Sequence, residues 1–243
     1  MNGRWRAFLR LFAVQGAWNY ERMLGVGMGY AAEPLLEDLG NADPARHAEA
    51  VVRSAEFFNC HPYLAGLALG ATVRAEYDQV PGQQIIRLRT ALCSPLGALG
   101  DQLFWSGILP ALIAAALIAV CFGAGVWVVV AFLLLYNLVR IATGAWSLRT
   151  GLAAGANVGQ EISRSWLPKA ARWVGPMAGL LVGLAIPLVG AWSLQWARGA
   201  QVAVAGAVAL LGLGLSFRFR YTMTSVRFAL GAIALTVVWR WTA

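Results

Sequence analysis

The chain has 243 residues, is 59% hydrophobic, has a mean hydropathy of +0.63 and carries only 12% charged residues, against roughly 25% in a soluble domain. A soluble fold of this length has no interior large enough for so much apolar surface, and with 27 Gly, 9 Pro and 11 Trp the composition is that of an all-α integral membrane protein. The net charge of +8 is unevenly spread, with 9 basic and 10 acidic residues in 1–101 and 10 basic against the single acid Glu161 in 102–243; arginines scattered between apolar segments form no single face, which excludes nucleic acid as a partner.

Cys60, Cys93 and Cys121 are odd in number and lack metal spacing, and only His47 and His61 accompany them, so no metal site or cofactor is expected. The opening MNGRWRAFLRLFAVQGAW has early arginines but neither a clean apolar core nor a small-x-small cleavage site. It reads as a retained amphipathic helix at the membrane surface.

Residues 3–31 carry a helical pattern, and at helical spacing Gln15, Trp18, Asn19 and Glu21 fall close to one side. Two readings stay open for that side. It is the polar face of an interfacial helix, or a hydrogen-bonding lining with an aromatic plate for a sugar. Gly25, Gly27 and Gly29 are expected to loosen the chain, and Pro34 to restart it. Asp43 followed by Pro44 predicts an N-cap and a helix to about Phe58. Pro62 disfavours helix at His61, so Asn59 and His61 belong to a non-helical break. Either residue satisfies local backbone there or faces a substrate.

The apolar run 63–73 is too short to span a bilayer and predicts a re-entrant arm, which needs protein or water around its backbone. After the turn Val80-Pro81-Gly82-Gln83, a second short arm, Thr90–Gly100, ends at Asp101. The 37 residues from Leu103 to Val139 hold no charge and fit a hairpin of two spans turning at Gly123-Ala124-Gly125. The returning helix, Val126–Trp146, brings Tyr136, Asn137 and Arg140 onto adjacent turns, and one reading has Arg140 ending it at the surface. A basic connection, 147–172, leads to spans at 173–194, 201–217 and 228–239, which makes about five membrane segments. The expected division is a re-entrant-arm region, 1–101, and a transmembrane region, 102–243. The excess of basic residues in the 140–172 and 218–227 loops puts the N-terminal part in the cytoplasm and the C-terminus outside.

Three blocks together are similar to one known family. QGAWNYERM at 15–23, EFFNCHPY at 56–63 and SPLGALGDQLFW at 94–105 resemble, in order, the conserved blocks of the IID membrane subunit of mannose/fructose/sorbose-type sugar phosphotransferase systems. LLLYNLVRIATG at 133–144 resembles that family's helix after the hairpin, and the likeness covers essentially the whole chain. The resemblance implies a non-catalytic permease subunit of the bacterial cytoplasmic membrane. It would pair with a IIC membrane subunit to form the path of a hexose-type sugar, with soluble IIA and IIB subunits carrying the phosphoryl group. It also implies a trimer of IIC–IID pairs and an elevator-like movement.

Hexoses are bound by carboxylate and amide groups on hydroxyl pairs and by aromatic faces, which makes Gln15, Trp18, Asn19, Glu21, Asn59, His61 and Asp101 the candidate substrate-binding residues. The chain departs from the family pattern in having Cys60 for the usual Thr, Ser54 where His is frequent, Ser94 before Pro95, and Glu76-Tyr77 in place of paired glutamates. The connection between its third and fourth spans is also short. These departures motivate an alternative, a IID-like regulatory or scaffold subunit of an incomplete system.

Overall fold

A computed structural model describes residues 2–194. The expected fourth and fifth spans, 201–217 and 228–239, lie outside the described residues. The chain divides into two compact units, 1–189 and 190–243, and the account below concerns the first. The helices are α1 (Arg4–Leu11), α2 (Gly25–Ala42), α3 (Pro44–Ser54), α4 (Ala65–Tyr77), α5 (Gly82–Gly100), α6 (Leu109–Cys121), α7 (Trp127–Ala154), α8 (Val158–Arg164) and α9 (Leu167–Leu194). The named elements among the described residues are all helices, with no strand there beyond two isolated bridges.

α4 is the centre of the unit. It is apolar on every side, as a fully surrounded helix must be, and Ala65–Val73 are all buried. Thirteen residues reach only about 20 Å, so the expectation of a short arm wrapped by protein holds. Its main neighbour is α7. Gly66 and Gly70, one turn apart, bring the α4 backbone onto Ser147, Leu148 and Leu152, while Gly151 of α7 sits against the Leu67 carbonyl. This is the small-residue contact by which membrane helices approach closely. Tyr77 Oη donates to the Leu35 carbonyl at 2.8 Å and ties α4 to α2.

The expected N-cap is present: Asp43 Oδ1 accepts from Arg46 N at 3.0 Å, and Pro44 opens α3. α3 ends at Ser54, earlier than Phe58. Pro34 does not restart the chain; it lies inside α2. A helical proline orphans the carbonyl four residues back, here Tyr30. Arg10 Nη1 donates to that carbonyl at 2.8 Å, and its guanidinium also covers the Tyr30 ring and pairs with Glu33. The glycines at 25 and 27 likewise do not loosen the chain. They sit in the first turn of α2, where any side chain would overlap the carbonyls of Glu56 and Val14.

The second expected arm is not separate from the first span. α5, a π-helical segment over Asp101–Ile108 and α6 form one helical stretch of 40 residues, Gly82–Cys121, long and apolar enough to cross a membrane. The π segment explains the continuity. Pro110 lacks an N–H and its ring crowds the carbonyl of residue 106, and the wider π turn absorbs both. Gly107 there packs on Val174 of α9, and Gln102 Nε2 donates to the Ala171 carbonyl at 3.3 Å.

The hairpin turns where expected, with Gly123 at φ 86 between α6 and α7. α7 then runs on to Ala154, fourteen residues past Arg140. Arg140 therefore does not end the helix at the surface. The second long apolar stretch, Trp127–Gly190, is bent at Gly155 (φ 52) and again at Ser165 (ψ 177).

Candidate functional site

The three sequence blocks converge on the break at 57–61. Residues 12–24 are turns, not a helix, so the shared helical side expected for Gln15, Trp18, Asn19 and Glu21 does not exist. The cause is local hydrogen bonding by Asn19, a residue type that competes with helix. Its Oδ1 accepts from Glu21 N (3.1 Å) and Arg22 N (2.8 Å), and its Nδ2 donates to the Ala17 carbonyl (3.2 Å). The carboxamide is thus engaged in shaping the turn. The loop is then stitched to the break: Leu24 N donates to the Phe58 carbonyl at 2.8 Å, and Phe58 N to the Arg22 carbonyl at 3.3 Å.

The break in turn packs on the third block. His61 is 1% exposed. Its Nδ1 accepts from Tyr63 N at 3.3 Å, capping the Pro62–Leu64 turn. Its ring stacks on Phe104 (centroids 4.9 Å, 16°) and meets Tyr63 and Trp105 at 4.8 and 5.6 Å. Nε2 is buried without a hydrogen-bond partner among the described residues. Gly100 lies directly on His61 Cβ, and a side chain there would overlap it.

On the outer side of this aromatic box, Asn59 and Asp101 are exposed and make no hydrogen bond or ion pair among the described residues. Asp101 opens the π segment, twenty residues before Cys121, or about 30 Å at 1.5 Å per residue, roughly one hydrocarbon thickness from the hairpin turn. Glu21 is also exposed and unpaired, and Trp18, 44% exposed, packs edge-on against Tyr20 at 4.9 Å.

Gln15 lies elsewhere, in a cleft lined also by Phe12, Tyr63, Arg140 and Ser147. Arg140 is a candidate residue that the sequence reading left out of the site. It stands thirteen residues into α7 from Trp127, or about 20 Å along the axis, well inside the hydrocarbon depth. Its guanidinium lies over the rings of Phe12 and Tyr63, 5.2 Å from each, and has no carboxylate within pairing distance among the described residues. Beside it the Tyr63 and Tyr136 hydroxyls are 3.2 Å apart. An ionisable group at this depth marks a substrate path or a partner contact. The signal was present as Tyr136, Asn137 and Arg140 on adjacent turns of an apolar helix. Asn137 has the blander role: exposed, its Nδ2 donates to the Leu133 carbonyl at 2.8 Å.

No group of His, Cys, Asp and Glu among the described residues is placed to hold a metal.

Comparison with known proteins agrees with this architecture. The profile of the family described as the PTS system mannose/fructose/sorbose family IID component matches residues 2–183. The mannose-specific EIID component of Escherichia coli K12 is 29% identical over 167 residues, 67% of this chain and 59% of that protein. The fructose permease IID component of Bacillus subtilis 168 is 28% identical over 167 residues, 67% of this chain and 60% of that one. The chain thus spans about 59% of the length of the first of these relatives. A solved membrane-protein chain superposes with a TM-score of 0.75 at 20% identity, covering 97% of this chain and 94% of that one. A chain from the cryo-EM structure of the mannose transporter ManYZ in complex with microcin E492 gives 0.59 at 21% identity, covering 98% and 95%. At these identities the two structures show the fold.

Proposed function

This chain belongs to the mannose/fructose/sorbose family of IID components of the sugar phosphotransferase system, and we propose that it is the permease subunit that completes a sugar path together with a IIC membrane partner. The supporting observation is the convergence of blocks 15–23, 56–63 and 94–105 on one break beside the His61–Phe104–Trp105 box, with Glu21, Asn59 and Asp101 of these blocks exposed and without a hydrogen bond or ion pair among the described residues. A carboxylate, an amide and an aromatic edge are the groups that bind hexose hydroxyls and ring C–H faces. Their exposure among the described residues fits half of a site whose other wall belongs to another subunit.

In this reading Asp101 and Asn59 take sugar hydroxyls, and Trp105, 51% exposed, offers its face. The loop carrying Trp18 and Glu21 borders the entrance, and Gln15 lies with Arg140 deeper along α7. The chain itself carries no phosphoryl group; IIA and IIB partners deliver it to the incoming sugar. The N-terminal part faces the cytoplasm of a bacterial inner membrane, because basic loops stay inside. A hexose-type sugar is the substrate, and the working assembly is a trimer of IIC–IID pairs.

The reading predicts that uptake depends on the pair. Labelled mannose uptake in cells holding IIA and IIB is expected to require both this chain and its IIC partner. Robust uptake with this chain as the only membrane subunit would overturn it.

A further inference from the structure

We propose that the cleft between α1, α4 and α7 binds an anionic phospholipid, with its phosphate between Arg4 and Arg149 and its acyl chains along α7. The inference rests on the membrane placement of α7 and not on the sugar path. The cleft measures about 660 Å³ and is lined by Arg4, Trp5, Arg74, Leu148, Arg149 and Leu152, among others, a size in the range of ligand sites (about 300–1,000 Å³). Its three arginines are not equivalent. Arg74 is committed to Asp78, with Nε at 2.9 Å from Oδ1. Arg4 and Arg149 are exposed and make no hydrogen bond or ion pair among the described residues. Two free guanidiniums facing one cleft suit a phosphate, which takes forked N–H pairs. Neither a carboxamide nor a carboxylate is among the residues that line the cleft, so it lacks the side-chain acceptors that sugar hydroxyls need.

Depth selects a lipid as the source of the phosphate. Arg149 stands twenty-two residues from Trp127 on the same helix, or about 33 Å along the axis. With Trp127, 76% exposed, at one interface, Arg149 falls at the headgroup level of the other, since the hydrocarbon core is about 30 Å thick. Trp5, 68% exposed, is the amphipathic ring expected at that level. Below it the surface turns apolar. A second cleft shares Ala145, Arg149 and Ala153 and adds Ala142, Trp146 and Thr150, and Ile141 and Leu138 are exposed one and two turns from Ala145 toward the membrane centre. Small residues form the channel and bulky ones its floor, which suits an acyl chain. Basic pockets between membrane helices at this level bind anionic headgroups.

The test uses the purified full chain in detergent, with phosphatidylglycerol or phosphatidylcholine added and lipid retention read by native mass spectrometry. Wild type is expected to retain phosphatidylglycerol under activation that strips phosphatidylcholine. The double substitution Arg4→Gln/Arg149→Gln is expected to lower that retention about thirtyfold, from about 1 kcal/mol per arginine at the surface. Arg87→Gln, at an exposed arginine outside the cleft, is expected to leave it unchanged. Because Arg4 and Arg149 are exposed, the thermal midpoint of the double variant in phosphatidylcholine is expected to match wild type. Equal retention of both lipids, or a preference that survives the double substitution, overturns the proposal. So does displacement of phosphatidylglycerol by millimolar inorganic phosphate, which makes the cleft a free-anion site. A photoreactive amino acid at Ala153 that labels protein instead of lipid in membranes also overturns it.

Discussion

Gly70→Val is expected to abolish accumulation of the folded chain in the membrane, with a destabilisation of about 3 kcal/mol or more, at or above the upper end of ordinary overpacking costs because the atoms overlapped are main chain. At Gly70 a new Cβ would overlap the backbone of Gly151 and Leu152. No rotamer change relieves that contact, because both sides are main chain. The helix would have to move, and it is the buried helix on which α7, α5 and α2 pack. Even Gly70→Ala is expected to fail. Gly97→Ala, where the nearest neighbour of a new Cβ is Cys60 Cα at 4.0 Å, is expected to accumulate normally. Membrane-fraction yield and a monodisperse gel-filtration profile measure both; a Gly70→Val protein that elutes like wild type would contradict the packing account.

The second large effect is expected at Glu76, 3% exposed and held between two arginines. Arg53 Nε and Nη2 donate to its two oxygens at 2.8 and 3.0 Å, and Arg46 Nη2 approaches at 3.0 Å. The hydrogen bonds it donates to Glu76 are the main reason the Arg53 guanidinium is held above its ordinary pKa. Arg46 also donates to the carbonyls of Glu76 and Val80 at 2.9 and 2.6 Å, so the cluster fixes α3 to the end of α4. Glu76→Gln keeps the shape and removes the charge, leaving two guanidiniums crowded in a closed space. Removing one partner of such a cluster costs about 3 kcal/mol. The expected result is a thermal midpoint several degrees lower, with part of the loss recovered by the second substitution Arg53→Met. A single Glu76→Gln protein as stable as wild type would show that the cluster is not what joins these helices.

Much of this architecture was legible in the sequence because it depends on local chemistry. The cap at Asp43, the break before Pro62, the turn at Gly123 and the need to surround a short apolar arm each follow from one or two residues acting on their neighbours. What was not legible depends on contacts distant in the chain. Pro34 reads as a breaker until Arg10, twenty-four residues earlier, is seen to satisfy the carbonyl it orphans. Pro95 and Gly100 read as the end of an arm, yet the helix runs through them into a π segment, and Gly100 is a glycine because His61 lies on it.

The candidate site divides in the same way. His61 and Asp101 were singled out by residue type and setting, and the structure brings them to one place. Gln15, Trp18, Asn19 and Glu21 were grouped by a helical period the loop does not have, because Asn19 turns the chain with its own side chain. Arg140 was set aside as a helix end, since nothing local shows that α7 continues for four more turns.

The central claim is that the 57–61 break and the π segment form one wall of a sugar path with Asp101 at its working face. The most direct measurement is labelled mannose uptake by cells expressing the complete system with Asp101→Asn in this chain, alongside co-purification of the IIC partner. The account predicts that uptake falls at least about tenfold, the effect of weakening one charged hydrogen bond to substrate, while the complex assembles as in wild type. Uptake at the wild-type rate from an intact Asp101→Asn complex would contradict it.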